Sequence, residues 1–445
     1  MIALTDEVFN ADGRTVEWKL EFYFSEVPLT VTRDNYLASA SLIEEMHADG
    51  ASPIGGVTAN QVTLSLINEG GIFSPTNPLS PYYGKMKKGL KVTSFIRVVN
   101  YASTEEYDWE PFGVFYVTNW TATITGLIAT VLISDILYDV FGRPQTSFEI
   151  QRAVTYSNFY NSFFTPLGIT ALIDSSLTTT LAYAFINLGN KEFLSALSNG
   201  AQADCFCNHA GVPQVEALFK NRTLRATLTD ADQIKTVESG SSSTTDYDGV
   251  TVICNTPQES SQKIVLTTSN NNIPANSMVN FSDVLFSTTP LIKFIAAVVT
   301  PGSNMKISNI LATPNKISFR VTSTNNSAVA VEINIHGTVI ETVKTTLSDN
   351  GDNMLTLDSA YVQDLTYAQS IKTRLEKFVN LTNPILKVTV RGNPLLKLGD
   401  KIRVISTKYN LDYTGIIVRA TYDYDGSLSS VLTLMDASIF EEVTP

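Results

Sequence analysis

The sequence predicts a mainly β protein with minor α content: two related β-barrel domains, a helix-and-hairpin domain and an inserted β-domain. Three observations carry that prediction. Apolar and polar residues alternate over short runs, the period-two mark of strands buried on one face. A similar order of turns and strands occurs twice, at residues 87–135 and again at 397–436. Between them, residues 246–348 are rich in Thr, Ser, Asn and Val and carry short alternating runs of their own.

The first β-barrel domain is expected at 1–150. Val16, Trp18, Leu20, Phe22 and Phe24 alternate there with Glu17, Lys19, Glu21 and Tyr23, just after the turn pair Asp12-Gly13. Further strands are expected at 61–67, 91–100, 113–120 and 127–134. The loop between the first two, with Gly70-Gly71, Pro75, Pro78 and Pro81, should hold no regular element.

Residues 151–240 are expected to form a mixed α/β connecting domain. Asn190 is placed to cap a short helix with Phe193, Leu194 and Leu197 on one face, stopped by Asn199-Gly200. A hairpin follows, with its turn at Asn208-His209-Ala210-Gly211. The Ser/Gly/Thr run 239–245 reads as a flexible linker or loop. It leads into an inserted β-domain at 241–350, a small sandwich with alternating runs at 316–322 and 328–335. The last domain, 351–445, begins with a long helix capped by Asp358 or Ser359. Val362, Leu365, Ala368, Ile371, Leu375 and Phe378 recur along it at helical spacing, and it ends before Asn383-Pro384. Strands return from 386 to 434, as a second β-barrel.

The internal repeat is the most informative feature. Lys87-Lys88-Gly89-Leu90 is followed by Gly113 to Val117, Gly126, Val131-Leu132 and Asp135; Lys397-Leu398-Gly399-Asp400 is followed by Gly415 to Val418, Gly426, Val431-Leu432 and Asp436. The step from turn glycine to Val-Leu is five residues in both copies. Each copy reads as an entry turn, a strand, a loop and a hairpin of two long strands. Gly89 and Gly399 are expected at positive φ, which only glycine enters without steric cost. Two β-barrels of separate origin share such turns as well, but the matched order favours duplication. Two similar units in one chain pack side by side, and three chains would then offer six similar positions.

Composition bounds the chemistry. A chain of 445 residues with 44% hydrophobic and 10% aromatic content is globular, with enough length for several domains. Its net charge of -12 repels polyanions, and only Lys85, Lys87, Lys88 and Lys91 approach a basic cluster. Tight nucleic-acid binding is disfavoured, whereas an acidic or neutral surface suits a channel through which DNA slides. Three cysteines make no disulfide framework and fit folding in a reducing cytoplasm. Met1 to Glu7 lack the basic and apolar regions of a signal peptide, and the most apolar stretch, 126–137, is too short for a membrane span.

The candidate chemical groups are few. Cys205-x-Cys207-x-His209 is the one cluster of soft metal ligands, but it lacks a second pair and reads as buried thiols on a hairpin. His47, His209 and His336 are the only histidines, and His47 is expected on a surface loop or short helix. Neither His-Glu-x-x-His nor Gly-x-Ser-x-Gly occurs. Asp246-Tyr247-Asp248-Gly249 and Asp423-Tyr424-Asp425-Gly426 read as Asp-Gly hairpin turns. Asp349-Asn350-Gly351-Asp352-Asn353 reads as an Asx-rich turn, with a bound cation as the alternative. No catalytic, cofactor-binding or metal-binding residue is assigned, and the expectation is that the protein is not an enzyme.

Residues 388–404, Val-Thr-Val-Arg-Gly-Asn-Pro-Leu-Leu-Lys-Leu-Gly-Asp-Lys-Ile-Arg-Val, resemble the opening of the last barrel in the baseplate hub family of tailed bacteriophages. In that family a segment of the type G-x-P-x-L-x-x-G-D-x-I opens the barrel. The preceding helix and the closing hairpin at 414–435 sit where the family places them, while 240–350 departs from it. The resemblance implies a homotrimer whose tube-type barrels form a ring adapting a sixfold tail tube to a threefold tip. Distal tail or tail-tube proteins and tip or fibre proteins would be its partners. Genomic DNA would pass its lumen without specific binding during DNA ejection. The implied location is the virion tail tip, after synthesis in the host cytoplasm. With the chain ending just after the barrel, any lytic activity is expected on another chain or in the insert. The alternative is a host receptor- or carbohydrate-binding tail protein acting through the insert. The insert's aromatics, Tyr247, Phe281, Phe286, Phe294 and Phe319, include no Trp for sugar stacking.

Overall fold

A computed structural model describes residues 14–441 apart from 47–54, 101–106, 145–149, 187, 231–233, 240–246, 288–289 and 382–384. The N-terminal part contains β1 (Arg14–Phe22), β2 (Leu29–Val31), β3 (Leu37–Glu45), β4 (Gly56–Val57), β5 (Gln61–Ile67), β6 (Lys91–Asn100), β7 (Glu110–Thr121), β8 (Ile128–Ser134) and helix α1 (Ile136–Gly142). Then come β9 (Gln151–Thr155), α2 (Tyr156–Phe164), β10 (Leu172–Ile173), β11 (Thr180–Ala184), α3 (Asn190–Ala201), β12 (Ala203–Cys207), β13 (Pro213–Ala217), β14 (Leu224–Thr229) and β15 (Thr236–Ser239). The strands β16 (Gly249–Glu259), β17 (Lys263–Ile273), β18 (Met278–Leu285), β19 (Leu291–Thr300), β20 (Met305–Ala312), β21 (Lys316–Ser323), β22 (Val329–Ser348) and β23 (Met354–Asp358) lead to α4 (Leu365–Val379). The chain closes with β24 (Ile385–Arg391), β25 (Lys401–Ser406), β26 (Leu411–Tyr424) and β27 (Leu428–Asp436).

The fold is mainly β, and the alternation does what period two dictates: Val16, Trp18, Leu20 and Phe22 of β1 are all buried. Asp12-Gly13 lies outside the described residues. The two repeats share one sheet, in the order β15-β24-β27-β26-β3-β5-β8-β7-β6-β1-β2, with β25 and β14 branching from β26. β26 divides between two neighbours: β25 takes Leu411 to Ile416, and β3 takes Arg419 to Tyr424. Trp18, Leu42, Leu64 and Val131 accordingly belong to one core with Val388, Tyr422 and Leu432.

The turn equivalence holds at the level of hydrogen bonds. Gly89 has φ 84° and Gly399 φ 85°. The Gly89 N–H donates to Val117 O at 2.8 Å, and Gly399 N–H to Ile417 O at 2.8 Å. The return bonds are Val117 N–H to Leu90 O at 2.9 Å and Ile417 N–H to Asp400 O at 3.0 Å. A bulge follows Val117 in one copy and Ile417 in the other. Asp135 caps α1 through the Leu137 N–H at 3.0 Å, and Asp436 caps the 3-10 turn Ala437–Ile439 through the Ser438 N–H at 2.8 Å.

These bonds also correct the alignment between the copies. Val117 answers to Ile417, so Gly113 and Gly415 are not equivalent: Gly113 has φ 114°, whereas Gly415 does not take positive φ. Val131 answers to Leu432 and not to Val431, since it is Leu432 that faces the core. A strand slip of one residue exchanges faces, which is why residue spelling misled here. Gly426 has φ 112° but Gly126 is not at positive φ, because the first hairpin is one residue shorter.

Both helix caps differ from expectation. Gly189 caps α3, while Asn190 turns inward and donates to Val140 O and Arg143 O at 2.9 and 3.2 Å. The helix runs past Asn199-Gly200 to Ala201, and Gln202 stops it at φ 54°. Asp364 caps α4 through the Tyr367 N–H at 2.7 Å. Asp358 instead ends β23, and Ser359 donates to Ala196 O at 2.6 Å, so Val362 precedes the helix. Asn383-Pro384 lies outside the described residues.

β17, β19 and the start of β22 form one sheet over the three-stranded sheet β18-β21-β20, around Val265, Ile317, Phe319, Ile333 and Ile335. The far half of β22 pairs with β16, and β16 with β23 packs on α4 beside Ile416 and Met435 of the second copy. No described helix is long and apolar enough to cross a membrane.

Candidate channel-lining face

The shared sheet buries one face in the core and leaves the other largely open, with Ser134 its one buried member among the residues below. Direct cross-strand partners lie on the same face, so the register alone assembles the open one. One row runs Thr236, Thr389, Val431, Thr421, Ile43, Gln61, Ser134 and Tyr116. The next runs Arg391, Ser429, Asp423, Ser41, Thr63, Leu132 and Asn119. Ser39, Ser65, Thr130 and Thr121 continue the pattern. Short hydroxyl side chains dominate because β-branched Thr suits the pleat while its hydroxyl suits water.

The charges on this face balance. Arg391, Lys387 and Arg419 stand against Asp423, Glu238 and Glu45. Glu238 lies opposite Lys387 across the ladder. At the seam between the copies, Arg419 Nε lies 3.0 Å from Glu45 Oε1, and the Ser41 hydroxyl donates to Asp423 at 2.7 Å. A chain of net charge -12 thus keeps a near-neutral Ser/Thr face across its repeat junction. Such a face offers a polyanion neither a strong attraction nor a strong repulsion.

The hairpin β12–β13 braces this arrangement from behind. The His209 carbonyl accepts from the Gly113 N–H at 2.8 Å, and its Nε2 lies 3.0 and 3.1 Å from the two carboxylate oxygens of buried Glu44. Glu216 sits 3.2 Å from where a Cβ on Gly399 would stand. One hairpin therefore touches both copies.

The other candidates resolve into structure. Cys205 and Cys207 are buried on the hairpin, with burial pushing both thiols up, and His209 turns away to Glu44. No metal-ligand cluster occurs among the described residues. His47 and Asp246 lie outside them. Gly426 occupies a hairpin turn, but Asp248-Gly249 does not: Gly249 opens β16, and the Asp248 carboxylate accepts from the Asp352 and Asn353 N–H groups. At the Asx-rich turn, Asp349 pairs with Lys372, which also bonds Glu376, so the chain supplies its own cation.

Two features went unread in the sequence. Asn77-Pro78-Leu79 and Asn393-Pro394-Leu395 form matching turns, each Asn Oδ1 accepting from the Leu N–H, at 3.1 and 3.0 Å. The shared tripeptide was the available signal. The second is the burial of Asp135, which the repeat marks only by position: it accepts from the Asn60 N–H at 2.8 Å, and burial pushes its carboxyl up to about 7 against its hydrogen bonds. Because the folded value lies above the ordinary 3.8, its contribution is complete below about pH 4 and lost as pH rises toward 7. Asp135→Asn should therefore abolish a loss of stability that the parent shows between about pH 4 and 7, on the order of 1–4 kcal/mol. Parallel pH profiles of the melting temperature for the two proteins would refute this.

No family model matches the chain, and no curated protein matches it in sequence. Solved structures do match. The crystal structure of the 43 kDa tail protein of prophage MuSo2 from Shewanella oneidensis superposes with TM-score 0.51 at 12% identity, over 95% of this chain and 99% of that one. The tail protein from Neisseria meningitidis MC58 gives TM-score 0.51 at 10% identity, over 96% and 98%. The chain thus has, over nearly its whole length, the fold of phage tail proteins, as its resemblance to the baseplate hub family implies.

Proposed function

We propose that this chain is a structural subunit of a phage tail tip, a hub ring that joins the sixfold tail tube to a threefold tip. One observation carries the reading: a single chain holds two equivalent units side by side in one sheet, so three chains supply six positions. The tail-protein fold supports the same reading. In it the Ser/Thr face with its balanced charges lines the DNA exit path, and tube and tip proteins bind the two ends. The protein acts in the virion, by assembly and without catalysis.

Light scattering on the purified protein tests the assembly. The expected molar mass is three times 48.7 kDa. A monomer at high micromolar concentration would contradict the ring.

A further inference from the structure

The second unit is covered where the first is open. Ile416, Val418, Met435 and Ile439 are buried in one core with Ile371, Leu375 and Phe378 of α4. The matched entry turns and caps fix their counterparts in the first unit as Tyr116, Thr118, Ser134 and Tyr138. These four line a cleft of about 1420 Å³. Ile439 is 2% exposed and Tyr138 42%. The exchange runs across three strands: Gln61, Ser134 and Tyr116 stand side by side where the second unit sets Ile385, Met435 and Ile416.

The cleft begins where the Ser/Thr face ends, and two helices complete its walls. α3 contributes Lys191, Ser195 and Asn199, four residues apart and therefore on one side of the helix. α1 supplies Ile136, Tyr138 and Phe141, the apolar part of the lining, and Lys88 joins at the entry turn.

The charge of the lining is one-sided. Glu45 is paired with Arg419 and Asp139 with Arg143, and buried Asp135 is engaged by the Asn60 and Leu137 N–H groups. Lys88 and Lys191 have no ion-pair partner among the described residues; Lys191 reaches the Phe141 ring at 5.7 Å. Such a lining fits an acidic, amphipathic segment, with carboxylates for the two lysines and apolar side chains for α1. The second unit indicates the form of that segment, since a helix covers the matching surface there. The size agrees: a helix about 10 Å across fills about 1420 Å³ with roughly twelve residues.

We propose that the cleft receives an acidic amphipathic helix from another tail protein, one helix per chain. The inference rests on the tail-tip reading for the kind of partner and on the ring for the count. Six units would carry three sockets, because α4 fills the other three.

Calorimetry with a synthetic probe tests the socket. The probe is a stapled helical peptide of about twelve residues, Glu along one face and Leu along the other, because an unstapled helix of that length is marginal in water. Titrated into the full-length protein, it should bind once per chain, and the same peptide with Lys for Glu should not bind. Lys88→Glu/Lys191→Glu should weaken binding at least about tenfold, and so should Ser195→Trp, which fills the groove from α3. None of the three side chains is buried, so the melting temperature should hold. No binding at about 1 mM peptide, equal binding of the Lys peptide, or an unchanged affinity in either variant overturns the proposal. A trimer that binds no peptide loses the socket and keeps the ring. A monomer that binds one keeps the socket and loses the ring.

Discussion

Trp18→Ala is expected to destabilise the protein by about 3–5 kcal/mol, the range for deleting a large buried aromatic. Trp18 is fully buried, and its Nε1–H donates to Ser94 Oγ at 2.7 Å. Its ring lies 5.0 Å from Phe112 in the first copy and 6.0 Å from Tyr424 in the second, edge-on to both. The deletion thus removes packing from both sides of the repeat junction and leaves the Ser94 hydroxyl without that donor. Urea denaturation followed by tryptophan fluorescence should show the midpoint falling with the slope unchanged. A loss below about 1 kcal/mol would mean that the two copies are not held by a common core.

Gly399→Val and Gly89→Val form the second expectation, a matched pair. Both glycines sit at the same positive φ and donate to the same carbonyl of the paired strand, so each valine should cost about 1–3 kcal/mol of backbone strain. The two need not be equal. Nothing lies within 4 Å of a Cβ on Gly89, whereas Glu216 stands 3.2 Å from one on Gly399. Gly399→Val should therefore lie at the upper end, and the same measurement separates them. If both variants fold and assemble as the parent does, the turns are not the fixed points of the repeat.

Those turns explain what was legible in the sequence. Gly89, Gly399, Asp135 and Asp436 do jobs that few residue types can do, positive φ for the glycines and helix capping for the aspartates, so identity and spacing reveal them. Strand positions are different. Val131 and Leu432 are equivalent because both face the core, and any apolar residue serves there; matching Val131 to Val431 followed spelling and landed on the wrong face. The caps of α3 and α4 failed for a related reason: Asn190, Asp358 and Ser359 are all capping types, but tertiary partners claim all three, Asp358 through Asn255 Nδ2 and Lys344 Nζ at 2.9 Å each. Asn190 is held by Val140 O and Arg143 O, and Ser359 by Ala196 O.

The candidate face was legible only in part. The alternation in β3, β5 and β8 places Ser and Thr on one side, which period two makes readable strand by strand. The seam itself was not readable. Arg419 meets Glu45 across most of the chain's length, and no local pattern reports a pairing of that separation. The resemblance in 388–404 pointed to the fold that periodicity alone did not, and the fold shared with the MuSo2 prophage tail protein agrees with it.

The central claim, that one chain with two equivalent units assembles into a hub, is tested most directly by electron microscopy of the purified protein. The account predicts a threefold ring with six similar lobes around a central hole about as wide as duplex DNA. Isolated monomers that bind host cells would contradict it.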